Sequence, residues 1–152
     1  MLVEGPTQPG ANERISQTVA SWSVVDLLVN NAGDVQTGRL ELVSDGDVTM
    51  INLNLTVPIM LTKTLRTGLQ LGGKGRGCIL LNIASSIALV GLPFYAVCAA
   101  TKSDIAQFGK SLRRKLSETG VHVATVYPGA TDTAMMPFQN AGAGLLGLSI
   151  AR

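Results

Sequence analysis

Hydrophobic and polar positions along the chain fall into two rhythms. Three short runs dense in Val, Leu and Ile read as strands: residues 24–29 (VVDLLV), 78–83 (CILLNI) and 121–127 (VHVATVY). Each is nearly continuous in apolar residues and ends at Asn, Ser or Pro-Gly, the pattern of a parallel strand buried on both faces. Between the strands the apolar positions recur every three or four residues. Residues 44–69 predict a long helix with Val48, Ile51, Leu55 and Ile59 along one stripe, Ser44 or Asp45 as its cap and Gly68 near its end. Residues 95–115 predict a second helix after the turn Gly91-Leu92-Pro93. A shorter amphipathic helix begins at Asn12, its predicted cap, and gathers Ile15, Val19 and Trp22 on one face. Residues 72–77 (GGKGRG) read as a flexible surface loop.

Alternating strands and helices make a single α/β domain, a parallel sheet flanked by helices, the economical fold for residues 1–152. At 46% hydrophobic and 14% charged residues, the chain is built for a packed core and not for disorder. The net charge of +2 gives no basis for a nucleic-acid partner. No apolar stretch reaches the roughly 18 residues of a membrane span. Cys78 and Cys98 form no disulfide framework, and no signal-peptide pattern opens the chain, so a reduced, cytoplasmic setting is the default expectation. His122 is the only histidine, which leaves no His-based metal cluster, and it reads as an ordinary strand residue.

Candidate chemistry gathers at the strand ends. The second strand breaks into Ala84-Ser85-Ser86, and Lys102 follows on the next helix. A hydroxyl at the carboxyl end of a buried strand, facing a helix with Lys102 near its start, is the layout of a site at the mouth of an α/β sheet. Reduction of a carbonyl requires a donor to orient the oxygen and an acid to protonate it, with a lysine to lower that acid's pKa. An acid four residues before the lysine shares its helix face. That residue is Cys98. Residues 30–33 (NNAG) suit an ordinary turn as well as a ligand-lining one. Asn54 sits mid-helix, and Pro58 removes the amide that its carbonyl would otherwise accept, so a local kink is expected there.

In order and spacing, LVNNAG at 28–33, NLT at 54–56, Ser85, TK at 101–102 and YPGATDT at 127–133 resemble the short-chain dehydrogenase/reductase family. The resemblance implies a partial Rossmann-like, doubly wound sheet, the central βαβαβ portion of that domain, and NAD(P)-dependent interconversion of a carbonyl and an alcohol in a small-molecule substrate. It assigns Asn31 and Gly33 to the cofactor site and gives the Asn54 carbonyl a water in a proton relay. Ser85 would orient the substrate oxygen, and Lys102 would bind the nicotinamide ribose. Pro128, Gly129, Thr131 and Thr133 would line the nicotinamide side. NADP and NAD are both open, and no metal is implied.

Two departures from the family pattern follow. Cys98 stands at the catalytic tyrosine position; a cationic Lys102 beside it is expected to favour a thiolate, which cannot donate a proton. Tyr95, one helical turn earlier, carries a phenol, but its register is off by three residues. The glycine-rich cofactor turn has no counterpart, with Met1 falling near the family's third strand, so weak or absent turnover is expected of this chain alone. An open sheet edge and uncovered apolar surface would then favour self-association. Helices 44–69 and 95–115 would carry a homo- or hetero-oligomer interface, and a catalytically dead interaction subunit or a non-functional fragment are the alternative readings.

Overall fold

A computed structural model describes residues 10–130. Helix α1 (Ala11–Ala20) has Gly10 at its N-cap with φ 71°, a left-handed conformation that glycine adopts freely. Asn12 therefore lies inside the first turn and is not the cap. Val19 enters the core with Ile15 beside it, but Trp22 lies beyond the helix and is exposed.

Strand β1 is Leu27–Asn30, shorter than the apolar run suggested. Val25 is buried, but its N–H bonds Gly68 O at 3.1 Å, so this stretch runs against a helix and not along a strand. Helix α2 (Asp45–Ile51), a π-helical turn (Asn52–Thr56) and helix α3 (Val57–Gly75) form one continuous helical stretch. Ser44 caps it, its backbone N–H and hydroxyl both donating to Asp47 Oδ2 at 2.9 and 3.1 Å. Pro58 has no amide to donate, and Val57 N–H reaches back five residues to Asn52 O. The expected kink is this π turn. Helix α3 continues well past Leu69, so residues 72–75 are helix and not a surface loop. A Cβ on Gly72 would sit 2.5 Å from Val25 O, so the missing side chain lets α3 lie directly on the segment before β1.

Strand β2 (Cys78–Ile83), helix α4 (Ala96–Leu116) and strand β3 (Val121–Val126) complete the order. The three strands are parallel and ordered β1-β2-β3, with Leu28, Leu80 and Val123 in one row and Asn30, Asn82 and Thr125 in another. Right-handed crossovers that advance the sheet in one direction place α3 and α4 on the same face. The core forms there: Cys78, Leu80, Val121 and Val123 pack against Val19, Leu65, Leu69 and Leu116. Each large side chain so buried contributes about 1.5–3 kcal/mol.

The opposite face corrects the expectation of strands buried on both sides. Leu27, Ile79 and His122 form one of its rows, and all three are exposed. The physical reason is that α1, α3 and α4 all contribute to the other face. The result is an α/β fold with a three-stranded parallel sheet, part of a Rossmann-like architecture.

Candidate active site

The carboxyl ends of the three strands lie level because their register is locked below them. Asn30 Nδ2 donates to Asn82 Oδ1 at 2.8 Å within the buried polar row, and Thr62 Oγ1 on α3 accepts a longer bond at 3.4 Å. Above this row, Ala84 N–H bonds Val126 O and Ser86 N–H bonds Pro128 O, each at 2.9 Å. The segment after β2 is thereby tied to the segment after β3, which brings Ser85 and Pro128 to one edge.

Asn54 is the hub of that edge. Only 3% exposed, it points from the π turn toward the loop after β1. Its Oδ1 accepts Asp34 N–H at 2.8 Å, and its Nδ2 donates to Asp34 O at 3.0 Å and to Thr101 Oγ1 at 3.1 Å. Thr101 Oγ1 in turn donates its hydrogen bond to Cys98 O at 2.8 Å. Because that hydroxyl proton is committed, Thr101 can only accept from Asn54, which fixes the orientation of the amide. One side chain thus joins the β1 loop, the π turn and the first turns of α4.

Lys102 Nζ donates to Ile83 O at 3.3 Å, two residues before Ser85. A Cβ on Gly33 would sit 3.1 Å from Asn54 Oδ1 and 3.3 Å from Lys102 Nζ, so glycine is what lets this loop close over both groups. Burial disfavours the charged form of Lys102 and lowers its pKa from the ordinary 10.5; negative charge at Cys98 would act the other way. Cys98 is 3% exposed. Burial raises its pKa above 9.0; Lys102 pulls it down and Asp34 pushes it up, but burial is the largest influence. The thiol is therefore neutral near pH 7. This corrects the expected thiolate: removal from water outweighs the neighbouring cation.

Of the residues singled out in the sequence, Gly33, Asn54, Cys98 and Lys102 come together, with Ser85 at the adjoining strand end. Ser85 Oγ accepts Ile87 N–H at 3.3 Å and caps a short 3-10 turn (Ser86–Ala88). Asn31 is exposed beside Gly33, and Pro128 and Gly129 are exposed after β3. Thr131 and Thr133 lie outside the described residues. Tyr95 is the N-cap residue of α4 and half-buried. Sequence reasoning missed Asp34 and Thr101. Asp34 follows the 28–33 motif and Thr101 lies within the 101–102 motif, where only Lys102 was given a role; their pairing spans 20 and 47 residues from Asn54, and no local pattern reports it. Among the described residues no acid, Cys or His cluster suits a metal ion, and no helix is long and apolar enough to cross a membrane.

A parallel α/β sheet with buried amide, hydroxyl and amine groups converging at its carboxyl edge defines a protein of the Rossmann-like class. Within that class the short chain dehydrogenase family model matches residues 7–143, and the chain belongs to this family. It is 30% identical over 134 residues to an uncharacterized oxidoreductase of Thermotoga maritima, covering 87% of this chain and 52% of the relative. It is 30% identical over 131 residues to the 3-oxoacyl-[acyl-carrier-protein] reductase of Vibrio cholerae, covering 85% and 52%. The crystal structure of the Brucella melitensis 3-ketoacyl-(acyl-carrier-protein) reductase, a complex with NADH, shares the fold with a TM-score of 0.77 at 23% identity, over 88% of this chain and 57% of that one. The chain spans about half the length of the curated relatives it matches.

Proposed function

We propose that this chain forms the nicotinamide-side part of an NAD(P)-dependent oxidoreductase acting between a carbonyl and an alcohol of a small molecule, and that alone it turns over weakly or not at all. The observation that carries the reading is the convergence of Gly33, Asn54 and Lys102 at the carboxyl edge. The donor set suits the cofactor: Lys102 uses one of its three N–H groups on Ile83 O, which leaves donors for vicinal ribose hydroxyls, and Gly33 supplies the close backbone approach. Asn31, Gly33, Lys102, Pro128 and Gly129 would hold the nicotinamide end, with Thr131 and Thr133 as further candidates. When bound, the nicotinamide supplies or accepts the hydride.

Each residue of the edge has a defined task in this reading. Ser85 donates its hydroxyl proton to the substrate oxygen while its lone pair accepts Ile87 N–H, so the oxygen is oriented by a donor already held in place. Asn54 keeps the β1 loop against α4, and its backbone carbonyl, to which Pro58 has no amide to donate, is the group assigned to a water in the proton relay. Cys98 occupies the acid position. Its neutral thiol retains a proton, but it is a shorter group than a phenol and is buried, and that is why turnover is expected to be low.

The test is a titration of the folded chain with NADPH and NADH, followed by nicotinamide fluorescence. Saturable binding that Lys102→Ala weakens at least about tenfold supports the reading, and no saturation with either nucleotide sinks it. Cys98→Tyr, assayed with a small carbonyl panel, should then raise turnover. A second reading, a subunit that acts through its surfaces, is favoured by the burial of Cys98 and by an apolar groove between α3 and α4. Two free buried cysteines also suit the reducing compartment proposed for it.

A further inference from the structure

Exposed apolar side chains concentrate at one end of this fold. Among the described residues the most exposed large hydrophobics are Leu40, Leu42, Leu89 and Phe94, at 61–72%. All four lie in the loops that follow β1 and β2, at the carboxyl edge that carries the site. Gly38 N–H bonds Phe94 O at 2.9 Å and joins the two loops. Between them is a cavity of about 140 Å³ lined by Leu40, Leu42, Phe94 and Val97. It adjoins the site: Gln36, also in the lining, donates to Asp34 Oδ2 at 3.1 Å, and Val97 precedes Cys98. Arg39 and Asp47 line it too, with opposite charges. Residues 77–101, which include the whole loop after β2, hold no Asp, Glu, Lys or Arg, the longest such run in the chain.

Phe94 is the most informative of these residues. Glycines aside, it alone among the described residues has a positive φ, at 66°. Glycine would take that backbone without cost, whereas a bulky side chain is strained there. Strain of this kind persists where it serves a ligand, and the fold returns little to a ring that is mostly in water. We infer that Phe94, with Leu40 and Leu89, grips the hydrocarbon body of the substrate, an uncharged and largely apolar carbonyl compound or alcohol. This rests on the oxidoreductase reading above and names its substrate class. The rim is anchored at the hydroxyl that would orient the substrate oxygen: Ile87 N–H and Ala88 N–H bond Ser85 Oγ and O at 3.3 and 3.0 Å. Ser103 Oγ holds the same turn by donating to Ala88 O at 3.0 Å, and Leu89 follows directly. An anionic body finds no unmatched cation here, because Lys102 is turned to Ile83 O and Arg39 shares its cavity with Asp47.

The experiment uses the intact chain and two ketones of similar shape, neutral 4-tert-butylcyclohexanone and anionic 4-oxocyclohexanecarboxylate. Saturation-transfer NMR titrations should show the neutral ketone binding at least about tenfold tighter. Phe94→Gly should weaken it at least about fivefold while the urea midpoint holds or rises, since glycine relieves the strained backbone. Ile79→Thr, on the open sheet face, should leave ketone binding unchanged. The inference is overturned if the two ketones bind equally, if neither binds, or if Phe94→Gly leaves the affinity as it was. It is equally overturned if Phe94→Gly lowers the urea midpoint, which would make the ring structural, or splits a dimer in sedimentation, which would give the rim to a second copy. Titration of the same sample with NADPH and NADH separates the two readings. Nucleotide binding without preference between the ketones removes this inference alone, and no nucleotide binding removes the oxidoreductase reading on which it rests. The wild-type comparison decides even if a variant does not fold.

Discussion

Leu80 and Ile79 are neighbours in β2, alike in size and chemistry, yet Leu80 is fully buried and Ile79 is 47% exposed. The same contrast runs across the sheet. Val123 is buried beside Leu80, while Leu27 lies open at 57% beside Ile79. Side chains alternate by the pleat, and the two crossovers put every helix that contributes to the core on one side. The contrast teaches that the apolar content of a parallel strand states a need for cover on both faces, and these helices meet it on one. The site lies at the end of the covered face. Asn54, Thr101 and Lys102 come from the same helical layer that buries Leu80, so packing and site geometry depend on the same elements.

The largest expected effect that would break this comparison is Leu80→Ala, which should cost about 2–5 kcal/mol in urea unfolding, against less than about 1 kcal/mol for Ile79→Ala. Equal costs would mean that the open face is covered in solution, and the contrast would fail. Next in size is Asn54→Ala. It leaves Asp34 N–H and O and the Thr101 hydroxyl without their partner, and should cost about 2–3 kcal/mol and weaken nicotinamide binding. Amide exchange should localise the loss to residues 31–34 and spare β2; a uniform loss would show that Asn54 supports the core and not the edge.

A smaller effect concerns pH. Because the Cys98 pKa is raised in the fold, the native state keeps its proton where the unfolded chain has lost it, so this stabilisation is complete below 9.0 and declines as pH rises beyond it. Lys102 works in the other sense: its lowered pKa means a penalty that lifts as pH approaches 10.5. The stability difference between wild type and Cys98→Ala should therefore hold steady below pH 9.0 and shrink as pH rises beyond it. A constant or growing difference would show that the thiol does not sit in the dry environment assigned to it. The smallest effect is Ile79→Thr, within about 0.5 kcal/mol, read by the same unfolding assay.

Much of this could be read directly from the chain. Helix α4, strands β2 and β3, the Ser44 cap and the disturbance at Pro58 all follow from local patterns, because periodicity, capping and a missing amide act within one or two turns. The edges of β1 and α3 could not be read. Val25 looks like strand but bonds Gly68, and Gly72 looks like loop but lies under Val25 in a helix, since both are decided by contact with each other. In the site, Gly33, Asn54, Ser85 and Lys102 were legible as motifs, whereas Asp34 and Thr101 acquired their parts only through Asn54. Cys98 was legible as a candidate four residues before Lys102. Its protonation was not, because the competition between burial and Lys102 depends on how deeply the helix packs.

The sequence by itself determined the alternation of strand and helix and membership of the short-chain dehydrogenase family. Each is a property of residue type and spacing along one chain. Only the tertiary structure decided which sheet face is covered, how the Asn54 amide is oriented and that the Cys98 thiol stays neutral. Those outcomes depend on distances between residues far apart in sequence and on the water that packing removes, and no one-dimensional pattern carries either quantity.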